Sequence, residues 1–125
     1  MGASEDPSPG EKSLLTGKLI TEAHSESIKV YRQARKDYDA KKYRAVMENL
    51  TQALKLDPEN AAALMRSSMM HSFLGNYETA IAELEQARSI LRKYGRSESA
   101  DNLEVDLRTL QGLLKEDAPP SIVLE

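Results

Sequence analysis

Two histidines, His24 and His71, are the residues of this 125-residue chain best suited to moving protons or binding metal near neutral pH. Neither has a second histidine or a cysteine at ligand spacing. The chain contains no cysteine at all, which removes thiolate metal sites, disulfides and cysteine nucleophiles together. A glycine-rich phosphate loop and a nucleophile elbow are also missing. The carboxylates are plentiful but read as solvated helix faces, and each histidine reads as a surface or half-buried side chain. These residue types argue against an enzyme and imply neither metal nor organic cofactor.

What chemistry remains lies in cations and soft apolar groups. Arg32, Arg35, Lys36, Lys41, Lys42 and Arg44 form the densest basic stretch. Residues 27–60 hold eight Lys and Arg against five Asp and Glu, whereas residues 95–125 hold three against seven. With the first 26 residues also acidic and a net charge of -3, the balance argues against nucleic acid. No apolar run approaches the roughly 20 residues needed to span a bilayer, and no apolar secretory segment opens the chain. The expectation is a cytoplasmic or nuclear protein. Asn49-Leu50-Thr51 matches a glycosylation sequon, but Leu50 falls on an apolar helix stripe, so the match is read as chance.

The elements that must position these residues are helical. Aromatics make up 5% of the chain and tryptophan is absent, so packing rests on Leu, Ala, Ile, Met and a few tyrosines. Residues 1–12 carry prolines, glycines and acids with almost nothing apolar and predict a disordered acidic tail. Leu15, Leu19 and Ala23 fall four apart with Ile20 beside them, so residues 13–26 predict a leading helix or an extension of the next one. The spacing then predicts helices over 27–40, 43–56, 61–74, 77–93 and 97–116. Asp57-Pro58 stops the second, because the residue before proline is pushed out of the α region. Gly75 and Gly95 stand where helix ends want a left-handed residue. Asn60, Asn76 and either Ser97 or Ser99 are placed as N-caps. Lys41-Lys42, the counterpart of Gly75-Asn76, lacks that turn chemistry, so the first hairpin is expected to depend more on packing. In the last helix, Glu104 and Arg108 are spaced as an i, i+4 pair, and Gly112 suggests a close helix crossing. Residues 117–125 read as a flexible tail whose Ile122-Val123-Leu124 has no partner visible in sequence.

Two windows of this pattern coincide. Ser27–Asn60 laid on Ala61–Tyr94 pairs Val30 with Leu64, Tyr43 with Tyr77, Leu50 with Leu84, Ala53 with Ala87 and Leu56 with Ile90. A 34-residue period of helix-turn-helix units is the mark of a helical repeat. These residues resemble the tetratricopeptide repeat family. The second window matches with Leu64, Leu74-Gly75-Asn76-Tyr77, Ala80, Leu84 and Ala87; the first keeps Tyr43, Leu50, Ala53 and Leu56-Asp57-Pro58. It departs at Gln33, Lys41 and Val46, where the family prefers Leu, Gly and Ala. The resemblance implies an all-α fold, antiparallel hairpins over 27–94 in a short right-handed superhelix closed by a capping helix over 97–116.

It also implies a function of protein binding, and places the first helix of each hairpin on a concave groove. Ile28, Tyr31, Arg32, Arg35, Tyr38 and Asp39 would face it from the first repeat, and Ala62, Met65, Arg66, Met69, Ser72 and Phe73 from the second. Tyr31, Arg32, Arg35, Tyr38, Met65, Arg66, Met69 and Phe73 are the candidate peptide-binding residues. Arginine offers carboxylates a planar fork, while Met and aromatics supply adaptable apolar area, which suits an acidic peptide with apolar anchors or a partner helix. The bland alternative is that the leading or final helix covers Met65, Met69 and Phe73. Chaperone-binding members grip a terminal carboxylate through a clamp of Lys, Asn and basic residues. Here Tyr31, Arg35 and Arg66 occupy matching positions, so only a degenerate clamp toward a heat-shock chaperone's acidic tail is left. Small co-chaperone adaptors with two repeats, one capping helix and a tail keep that alternative open. Another is homodimer assembly, because two repeats fall short of the three or more that usually stand alone.

Overall fold

The structure is a computed structural model that describes residues 17–124, so the tail expected over 1–12 and the start of the leading segment lie outside the described residues. Five helices follow one another: α1 Gly17–Asp39, α2 Tyr43–Leu56, α3 Ala61–Phe73, α4 Tyr77–Lys93 and α5 Ser97–Glu116, with no strand among the described residues. α1 runs unbroken from Gly17, so the leading segment joins the first repeat helix as an extension. The chain forms two compact units that divide after Asn60.

In the first unit α1 packs antiparallel on α2. Ala34, Val46, Leu50 and Ala53 are essentially sealed from solvent. The small side chains let the backbones come close, and polar groups use that closeness. Ser27 Oγ donates to the Ala53 carbonyl at 2.7 Å and accepts from Asn60 Nδ2 at 2.9 Å. α2 ends as the sequence predicts: Asp57 turns extended (φ -146°), the geometry a following proline requires. Its carboxylate then takes the Glu59 amide on Oδ1 at 3.0 Å and His24 Nδ1 on Oδ2 at 2.7 Å.

In the second unit α3 packs on α4 and α4 on α5. The core runs through Leu64 and Met70 of α3, Tyr77, Ala80, Leu84 and Ala87 of α4, and Leu103, Leu107 and Leu110 of α5. Ser68, which stands where the first repeat has Ala34, donates to the Ala80 carbonyl at 2.7 Å. The Glu104 carboxylate, spaced to meet Arg108, instead accepts from Arg88 at 2.7 Å and Arg92 at 3.3 Å on α4. Gly112 does not mark a crossing: a Cβ there would meet nothing within 4 Å.

Four of the helices end alike. After α3, Gly75 takes φ +84°, its amide bonds the Ser72 carbonyl and the Asn76 amide bonds that of His71. This is the Schellman arrangement, which satisfies carbonyls that a helix end leaves open. The same pair of bonds follows α4 at Gly95 and Arg96, α5 at Asp117 and Ala118, and α1 at Lys41 and Lys42. Lys41 adopts φ 61° despite its side chain, so the turn chemistry expected to be missing there is made by lysine.

The N-caps of α4 and α5 differ from expectation. Asn76 stands at the cap of α4 but makes no side-chain cap bond, and the cap position of α5 is Arg96, not Ser97 or Ser99. Lys42, Asn76 and Arg96 share φ near -92 to -95° and ψ of 61 to 71°, away from the extended region from which a side chain reaches back. Each is already committed twice by its backbone. Its amide closes the preceding helix, and its carbonyl accepts the first bond of the next, from Val46, Ala80 and Ala100 respectively.

Candidate functional site

In the first unit the packed side of α1, Ser27, Ala34 and Asp37, fixes which residues can face outward. Asp37 is buried and fully engaged: Oδ2 accepts from Asn49 Nδ2 of α2 at 2.8 Å and Oδ1 from Gln33 Nε2 at 3.0 Å. With that side pinned, Tyr31 and Tyr38, each four residues after Ser27 and Ala34, border the packed side, and Arg32 and Arg35 are the two of the four candidates that face outward. Arg32 and Arg35 are exposed and Tyr31 and Tyr38 half-buried. Neither guanidinium has an ion-pair partner among the described residues. The Tyr38 ring leans on Tyr43 with centroids 6.0 Å apart, so this tyrosine braces the hairpin while presenting one edge.

In the second unit the same logic applies to α3. Ser67 Oγ donates to Glu83 Oε2 at 2.7 Å and His71 Nδ1 meets Glu83 Oε1 at 2.7 Å, tying the helix to α4. Met65, Arg66, Met69 and Phe73 then line the other side. Met65 is 37% exposed, and Arg66, Met69 and Phe73 are half-buried. α5 packs on α4 within this unit.

The pinning contacts were not legible as a motif, yet they recur. Gln33, Asp37 and Asn49 become Ser67, His71 and Glu83 after a shift of one repeat, with every residue type changed and the positions kept. The available signal was polarity at three matching positions on otherwise apolar faces. Gln33, a departure from the family pattern, has its use here, since it supplies one of the two donors to Asp37. Neither histidine stands as a lone ligand: His24 is held by Asp57 and His71 by Glu83. Among the described residues no cluster of three His, Cys, Asp or Glu could hold a metal, and no helix is long and apolar enough to cross a membrane.

Paired helices, a 34-residue recurrence and matched turns describe one family, and its sequence model matches residues 37–105, from the end of α1 into α5. The chain belongs to the tetratricopeptide repeat family. No curated protein and no solved structure gives a match that would narrow this further. Tetratricopeptide repeats are protein-interaction modules and typically carry no catalysis, so the two outer faces, rather than the half-buried histidine pairs, are where function is sought.

Proposed function

We propose that this tetratricopeptide repeat protein is an adaptor that docks an acidic peptide with apolar anchors on the outer faces of α1 and α3. The observation that carries it is the pair Arg32 and Arg35: two exposed guanidinium groups without ion-pair partners among the described residues, flanked by half-buried Tyr31 and Tyr38. A free guanidinium offers a carboxylate two parallel donors, and the adjoining rings exclude water from that contact. On α3, Met65, Met69 and Phe73 offer soft apolar area around Arg66, the chemistry that takes an aliphatic or aromatic anchor. No catalytic step is part of this function, and its setting is the cytoplasm or nucleus.

Fluorescence anisotropy with a labelled peptide of alternating Asp or Glu and Leu or Phe tests it. Arg35→Ala combined with Arg66→Ala weakens binding by at least about tenfold, the loss expected for charge-assisted hydrogen bonds, while helicity stays unchanged. Unchanged affinity in a folded double variant would sink the proposal. Amidating the peptide's C-terminus separates the co-chaperone alternative: a clamp on a terminal carboxylate loses affinity, whereas side-chain carboxylate recognition does not. Light scattering over a dilution series decides on the assembly alternative, which a monomer at every concentration removes.

A further inference from the structure

The segment for which the sequence shows no partner is seated against the turn between α3 and α4. The Ser121 amide donates to the Phe73 carbonyl at 2.6 Å, and the Ile122 amide donates to the same oxygen at 3.0 Å. Tyr77 Oη donates in the other direction, to the Pro119 carbonyl at 3.3 Å. Between these anchors Pro120 lies over Gly75, where an added Cβ would come within 3.4 Å of the Pro120 Cβ. The cap of α3 uses the carbonyls of Met70, His71 and Ser72 and leaves that of Phe73 to the tail.

Every one of these contacts is made to peptide backbone or to a proline ring. Recognition of that kind does not depend on the segment belonging to the same chain, and a Pro-Pro pair loses little entropy on being held extended. The seat also has specific requirements. At the matching corner of the first unit Asp39, Lys41 and Tyr43 replace Phe73, Gly75 and Tyr77. Lys41 carries a long side chain where Gly75 leaves bare backbone, and the Tyr43 ring is engaged by Tyr38. The occupant is lightly held, because Pro119, Pro120 and Ser121 remain exposed. Segments with so little buried surface open at small cost.

We propose that the α3–α4 corner is a binding site for an extended Pro-Pro-polar-aliphatic peptide of a partner protein, and that Pro119–Ile122 is its resident occupant. The site recognises the partner through Phe73 O, Tyr77 Oη and the gap above Gly75, and is independent of the arginine face.

The test uses the isotope-labelled full chain and a synthetic peptide with the sequence of residues 117–125. Because a tethered tail competes at an effective concentration of mM order, the wild-type chain binds the peptide weakly. The full-chain variant S121P/I122P, which lacks both amide donors, binds it with an apparent Kd at least about tenfold lower, and the saturable shifts fall at Gly75, Asn76 and Tyr77. A peptide carrying the same two prolines shifts nothing. Shifts elsewhere, or none in a variant that keeps its circular dichroism, would overturn the proposal. Should that variant unfold, hydrogen exchange of wild-type chain decides: excess peptide accelerates exchange at Ser121 and Ile122, and unaltered rates overturn it. Arg35→Ala with Arg66→Ala leaves this binding intact, so the two proposals fail separately.

Discussion

The α1–α2 and α3–α4 hairpins close matching turns with different chemistry. Their turns close with the same two bonds, one around Lys41 at φ 61° and one around Gly75 at φ 84°. Their helix pairs are bridged at the same three positions, once by Gln33, Asp37 and Asn49 and once by Ser67, His71 and Glu83. They part where α2 stops at Asp57-Pro58 while α4 continues through the corresponding Leu91 and Arg92 to Lys93. The comparison teaches that close packing of small residues at the crossing sets the backbone, and that side chains at turns and bridges adapt to it.

The comparison is broken most forcefully in the core. Leu50 and Leu84 occupy matching positions and are both buried, so Leu50→Ala and Leu84→Ala each lose about 2–5 kcal/mol in urea denaturation followed by circular dichroism. A gap between them beyond about 2 kcal/mol would show that the hairpins are not packed alike.

A smaller effect is expected at the bridges. Asn49→Ala removes one of the two donors to buried Asp37, at a cost of about 1–3 kcal/mol. The sharper experiment transplants the second bridge into the first. Asp37→His with Asn49→Glu recovers most of what Asp37→His alone loses, because position rather than residue type defines the contact. Failure to recover would mean that the surroundings of each bridge, not its geometry, decide.

Smallest are the turns. A non-glycine residue in the left-handed region costs about 1–2 kcal/mol, so Lys41→Gly raises the melting point, by about 1 kcal/mol of stability once glycine's greater unfolded freedom is offset. Gly75→Ala lowers stability by a similar amount through left-handed strain at φ 84°, its Cβ resting in ordinary contact with Pro120. A Lys41→Gly variant no more stable than the wild type would refute the account of Lys41.

Much of this architecture was legible from residue pattern. The bounds of α2, α4 and α5 follow from apolar spacing with Asp57-Pro58 and Gly95 as stops, and Gly75 was placed correctly in the left-handed region. What was not legible depends on contacts between distant residues or on backbone state. Asn76, Ser97 and Ser99 have the side chains of good caps, but each turn commits the entering residue's backbone to a conformation from which side-chain capping does not occur. Glu104 had a partner at the right spacing on its own helix and found two on α4, Arg88 and Arg92, which only the packing of α5 on α4 brings to it. The seat of residues 119–122 needed a carbonyl on Phe73 and a hydroxyl on Tyr77, neither of which any local pattern announces.

One residue ends a helix and begins the next at Lys42, Asn76 and Arg96, which leaves these junctions no slack. Inserting a single amino acid there would rotate the following helix by about 100° and swing its oily stripe toward water. The four-residue connection Asp57–Asn60 is fixed in another way, through the buried side chains of Asp57 and Asn60 bonded to His24 and Ser27 of α1. The junctions thus behave like keyed couplings that preserve angular phase from helix to helix, a constraint on any lengthening or shortening of this chain.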